Sequence, residues 1–104
     1  MDLEYLSEHI CDELDGAEEY IIKAIELKPM TMPWAKSFMD MATAELTHAN
    51  ALYKMYTEYY QKVSSNMSEL PSFISEDYDK TVKMYASKSA SIKLMIDMFS
   101  KNIL

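Results

Sequence analysis

Between Trp34 and Tyr59 large or chemically distinctive side chains recur at steps of 4, 3, 4, 3, 4, 3 and 4 residues: Trp34, Phe38, Met41, Glu45, His48, Leu52, Met55 and Tyr59. That alternation is a heptad seam on one face of a helix. A single Gly and three Pro among 104 residues leave little room for hairpins. The chain is therefore expected to be all-α, built from long helices. Two of the eight seam positions are polar, and they are Glu45 and His48.

The flanking segments read the same way. Residues 2–28 carry Leu6, Ile10, Ala17, Ala24 and Leu27 at helical spacing, with Ile21 and Ile25 beside the seam. "KPMTMP" (28–33) breaks this first helix. Pro29 does not continue a helix comfortably, Pro33 suits the first turn of the next, and Thr31 is a candidate cap. The second helix is expected over 33–64 and is closed by "SSNMSELPS" (64–72). A third is expected over 75–102, with Glu76, Asp77 and Asp79 in a first turn that favours negative charge. Tyr78, Val82, Tyr85, Ile92, Ile96 and Phe99 form its apolar face. "ASKSAS" (86–91) either approaches another helix closely or lies on the surface. Residues 1–104 then form a single helical domain with no internal repeat.

Composition narrows the function classes. At 49% hydrophobic and 26% charged, the chain suits one small domain near the size where burial is only moderately effective, and a partner chain would help it. Net charge is -7, and all ten cations are Lys. An acidic surface without Arg argues against nucleic acid as a partner and suits a protein that meets cations. Cys11 has no second cysteine to pair with, and nothing suggests secretion. The acidic start "MDLEYLSEHICDELD" does not resemble a signal peptide, and no apolar run approaches the roughly 20 residues of a membrane span. The expected setting is cytoplasmic, or soluble inside a larger particle, with no membrane partner.

The polar seam residues carry the chemistry. Extending the seam of the first helix through its gap gives Leu6, Ile10, Glu13, Ala17, Tyr20, Ala24 and Leu27, so Glu13 also stands where an apolar residue belongs. Desolvating an unpaired carboxylate costs several kcal/mol. Heights along an antiparallel hairpin can be compared at 1.5 Å per residue. Glu13 lies about 22 Å before the turn; Glu45 and His48 lie about 18 and 22 Å after it. The three residues are expected in one layer. A water or ion-pair network could satisfy them, and a divalent metal does so better. Glu45 and His48, three apart on one helix face, can reach one ion.

The pattern resembles the ferritin-like superfamily, in particular rubrerythrin-type proteins and encapsulated ferritins, over about residues 6–60. The residues that carry it are Glu13 with Tyr20 seven positions on ("ELDGAEEY") and the Glu45-x-x-His48 of "ELTHA". A complete bundle of that kind has two Glu-x-x-His motifs, whereas this chain has one and its third helix has no His. Encapsulated ferritins share this deficit. The resemblance implies a homodimer, or a higher homo-oligomer, in which two hairpins form a four-helix bundle around a site with a two-fold axis. It further implies two irons per dimer, held by both copies of Glu13, Glu45 and His48, with manganese as the other metal the donors suit. The implied activity is Fe(II) oxidation, ferroxidase-like, for iron handling or for removing peroxide or oxygen. The alternative is a non-enzymatic helical assembly or interaction module with a structural or vestigial metal site.

Other residues have blander roles. Tyr20 is expected as a packed ring with its hydroxyl near the site. His9, one turn before Glu13, is a solvent-edge histidine or a second-layer group. Asp12, Asp15, Glu18 and Glu19 form a solvated face that could guide cations inward. The ten Met are core filler. Cys11 is a helix residue without a role. Tyr53, Tyr56, Tyr59 and Tyr60 pack at the dimer or third-helix contact.

Overall fold

The computed structural model describes residues 2–104. It contains helices α1 (Leu3–Leu27), α2 (Met32–Ser65) and α3 (Ser72–Ser100), with no strand among the described residues. At the start of α1 the Asp2 carboxylate accepts the Tyr5 backbone N–H at 2.8 Å, satisfying one of the free donors of the first turn. A short turn at residues 28–30 reverses the chain. Thr31 occupies the N-cap of α2 in an extended conformation, yet its side chain makes no capping bond. Pro33 falls in the first turn, where its missing N–H costs nothing.

The α1–α2 hairpin holds most of the core. From α1, Ile10, Leu14, Ala17, Ile21 and Ala24 are wholly buried; α2 meets them with Ala35, Met39, Ala42, Leu46, Ala49 and Tyr56. This corrects the expected seams. The inward stripe of α2 lies one residue beyond the Trp34–Tyr59 series, and Ile21, expected beside the α1 seam, is central to it. The cause is side-chain size. Small residues from both helices, Ala17, Ala24, Ala35, Ala42 and Ala49, let the backbones come close enough for Leu14, Ile21 and Leu46 to interlock. The bulkier stripe of α2 is left outside, with Trp34 65% exposed.

Helix α3 begins three residues before its expected start, with Pro71 at its N-cap. Its first turn therefore contains no acid, and the expected role for Glu76, Asp77 and Asp79 at that turn does not apply. Asp77 is a bridge instead. It accepts hydrogen bonds from the Tyr56 hydroxyl at 2.6 Å and the Ser7 hydroxyl at 3.4 Å, joining all three helices. Tyr53 stacks on Tyr85 and Tyr60 on Tyr78, each at 3.8 Å between ring centroids. Tyr53, Tyr56 and Tyr60 thus serve the third-helix contact, while Tyr59 is exposed. Ser89 is buried, and its neighbour Lys88 pairs with Asp15, so "ASKSAS" lies against α1.

The molecule is a rod of 58 × 21 × 16 Å. Its radius of gyration is 16.4 Å, against about 13 Å for a compact chain of this length. Its accessible surface is 6666 Å², where a compact 12.1 kDa monomer shows about 6,000 Å². No helix of the described chain is long and apolar enough to cross a membrane.

Candidate metal centre

Glu13 sits midway along α1; Glu45 and His48 sit midway along α2. The hairpin brings all three into one layer, as the height count expects. One donor atom from each lies within 4.8 Å of the others. The His48 Nδ1 is 3.5 Å from Glu13 Oε2 and 3.9 Å from Glu45 Oε1. The layer is not inside the single-chain core. The side chains of Glu13 and Glu45 are 24% and 27% exposed, and that of His48 is 59% exposed. His48 is therefore not a core histidine within one chain. The cluster occupies the rim of the α1–α2 contact and opens outward; Trp34, Met41, Met55 and Tyr59 of its series are exposed, while Phe38 and Leu52 pack part-buried against the core edge.

The rim is electrostatically unfinished. The Oε2 atom of Glu13 is buried and has no hydrogen-bond partner. Buried carboxylate oxygens are almost always paired, since each lost partner costs of order 1–3 kcal/mol. The Glu45 pKa is pushed up, first by a hydrogen bond to the Glu13 carboxyl, then by burial and by the Glu13 charge, with His48 opposing. Two carboxyls in contact can share one proton, and a cation would release it.

Gly16 is a site residue that the sequence reading passed over. A Cβ placed there would stand 3.2 Å from Glu45 Oε2. Glycine one turn after Glu13 gives the Glu45 carboxylate its place over the α1 backbone. The available signal was the isolated glycine in mid-helix, where it costs about 1 kcal/mol relative to Ala and so needs a reason.

The remaining candidates lie elsewhere. Tyr20 is half-buried, tilted against Phe38 at 6.0 Å between centroids. His9 packs on Tyr5 at 4.4 Å and is not part of the cluster. The Cys11 sulfur is 3.7 Å from an Asp15 oxygen, and burial followed by the Asp15 charge pushes its thiol pKa up, away from a reactive thiolate.

Helix α3 does not cover the cluster. At 3.6 residues per turn, Glu13, Gly16 and Tyr20 lie about 170° around α1 from Ser7, Cys11 and Asp15. Ser7 and Asp15 make polar contacts with α3, to Asp77 and Lys88. Two carboxylates and an imidazole suit a divalent first-row ion and leave several coordination positions free. No family model, no curated protein and no solved structure matches the chain.

Proposed function

We propose that this chain is a ferritin-like iron protein whose site is completed by a second chain, and that it oxidises Fe(II). The observation that carries the proposal is the buried, unpartnered Glu13 Oε2 inside an outward-facing cluster of three metal donors. The donors fit the ion. Glu13 offers an oxygen with no hydrogen-bond partner, Glu45 a carboxylate beside it, and His48 offers Nδ1. Two chains facing each other supply four carboxylates, which offset the charge of two Fe(II) ions in a layer that pairing would bury. One ion alone would leave net negative charge there, and burial penalises that strongly. Iron held by Glu13, Glu45 and His48 would supply one-electron chemistry toward O₂ or peroxide. Manganese suits the same donors. The four-helix bundle, the homodimer and the iron-handling role stand together in this reading.

The test is anaerobic Fe(II) titration followed by stopped-flow mixing with oxygen. The expected result is one iron per chain, taken up in pairs, and rapid oxidation with a rise in near-ultraviolet absorbance. Zn(II) added first should block it by occupying the donors without redox chemistry. The variants His48→Ala and Glu45→Ala should lose metal while keeping their helicity. Full occupancy without oxidation would assign the site to a structural clamp in an assembly module. If no metal binds, or if either variant binds as the parent does, the ligand assignment fails.

A further inference from the structure

The outward stripe of α2 is its own antiparallel complement. The 4-3 spacing of Trp34 to Tyr59 is symmetric about the midpoint between Leu46 and Thr47. The polar pair lies at the centre, with three apolar residues on either side. If a second α2 crosses antiparallel on a two-fold axis at that midpoint, Glu45 meets the partner's His48 and Met41 meets the partner's Leu52. Trp34 then meets the partner's Tyr59. One turn further out, Met30 meets the partner's Val63. The flank beside the stripe is small and uncharged at Ser37, Ala44 and Ala51, so two helices can approach closely.

A second feature falls on the same register. At the far end of α2 an open groove of about 450 Å³ lies between the start of α1, the end of α2 and the start of α3. Leu3, Tyr59, Val63, Phe73 and Ile74 line it, with Asp2 and Glu4 at its acidic rim. Phe73 is 71% exposed. At the other end of the molecule Met30 and Trp34, 79% and 65% exposed, project from the α1–α2 turn. Of the nearby lysines, Lys28 is held by its own chain, its Nζ over the Phe99 ring and donating to the Leu104 carbonyl. Groove and turn are thus both apolar, and they lie at the two ends of the α2 stripe that the two-fold axis exchanges.

We propose that the groove is the socket for the α1–α2 turn of a second copy, with the partner's Trp34 on Tyr59 and Phe73 and the partner's Met30 against Val63. Two-fold symmetry makes both ends of the rod identical contacts. The length from residue 30 to residue 63 is about 50 Å, and two helices side by side are about 18 Å wide. The face is then on the order of 900 Å² per protomer, the size of a standard stable interface, which is about 800 Å² per partner. Tryptophan in an apolar socket is the usual energetic centre of such a contact. The socket deepens the shared-site reading but stands on atoms more than three turns from the metal donors. The socket's share of the contact therefore does not depend on metal, while a bound cation offsets the carboxylate charge at the centre of the face.

The experiment uses the full chain with Zn(II) present to offset the central carboxylates and, in parallel, with a chelator. Trp34 is the sole tryptophan, so its emission reports on the socket directly. On concentration from nanomolar to tens of micromolar the emission should move to the blue, in step with a monomer-to-dimer transition in sedimentation. Phe73→Glu should raise the dimer Kd at least tenfold and return the emission to the red without loss of helicity, since Phe73 is exposed in the single chain. In a Cys11→Ser background, Met30→Cys with Val63→Cys, which keeps Trp34 and Tyr59, should yield a covalent dimer with a short thiol cross-linker. Within one chain those two positions stand about 50 Å apart, so the cross-link can only join two chains. The proposal is overturned by a chain that stays monomeric and red-emitting at every concentration, and equally by a dimer indifferent to Phe73→Glu. An apo dimer that takes up no iron would sink the metal reading alone; a monomer that binds iron would sink the shared site.

Discussion

The two long sides of the α1–α2 hairpin are finished in opposite ways. The side under α3 is closed by paired polar groups. Asp77 takes hydrogen bonds from Ser7 and Tyr56, Asn50 accepts the Tyr85 hydroxyl, Asp15 pairs with Lys88, and tyrosine stacks fill the gaps. The other side carries larger apolar groups and three ionisable ones, and there a buried carboxylate oxygen has no partner. A third helix built from Ser, Lys and Tyr can cover a hairpin without a large apolar face, because each polar group it buries arrives with its partner. The open side has no such partner for the Glu13 Oε2 among the described residues.

The largest expected difference between the sides is in stability. Tyr56 is fully buried and anchors Asp77. Tyr56→Ala should cost about 3–5 kcal/mol in chemical denaturation, the range for deleting a buried aromatic, and should release α3 first. The test sharpens with Glu13→Gln on the open side. That change removes one of two touching carboxylates, and the apo protein should gain a few tenths to about 1 kcal/mol, the scale of a partly hydrated charge contact. Iron binding should be lost at the same time. A destabilised apo Glu13→Gln would mean that Glu13 has a structural role in the hairpin.

A smaller effect, divided in sign, is expected at Gly16. Alanine in mid-helix is favoured over glycine by about 1 kcal/mol. Its Cβ would meet the Glu45 carboxylate at 3.2 Å and push it outward. Gly16→Ala should therefore leave the apo melting temperature equal or higher while weakening metal binding at least tenfold. If affinity is unchanged, the Glu45 carboxylate is not held where the apo geometry puts it. The same comparison explains what could be read beforehand. The helices, the turn and the shared layer of Glu13, Glu45 and His48 follow from spacing and from 1.5 Å per residue. Which stripe of α2 faces α1 does not follow. Helix α2 carries two parallel stripes, and Trp34, Phe38 and Leu52 outweigh Ala35, Ala42 and Ala49 in hydrophobic bulk. Bulk predicts burial somewhere, whereas close helix approach selects the alanines. The Asp77 bridge was equally illegible, because it depends on the Pro71 cap setting the phase of α3.

The smallest effect lies on the covered side and is reached by pH. Lys88 has its pKa raised, first by its hydrogen bond to Asp15. Tyr53 and Tyr85 have theirs raised, each first by burial. For all three the folded chain holds the proton more tightly than the unfolded chain does. Their contribution is therefore fully present below the unfolded values of about 10 for tyrosine and about 10.4 for lysine, and it is lost as pH rises through the higher folded values. The contacts that lapse are those between α3 and the hairpin; Tyr56, buried in the hairpin core, has its pKa raised first by burial and then by its hydrogen bond to Asp77, and that bond belongs to the same α3 contact. Alkaline titration should thus detach α3 before the hairpin unfolds. Near-ultraviolet circular dichroism from the tyrosine stacks should fade together with the rise of tyrosinate absorbance, while far-ultraviolet helicity persists. Lys88→Met removes the ion pair and leaves the stacks, so it should lower the midpoint by only a few tenths of a pH unit, as suits an exposed pair. Simultaneous loss of both signals would mean that α3 and the hairpin form one cooperative unit, and that the covered side is as firmly held as the core.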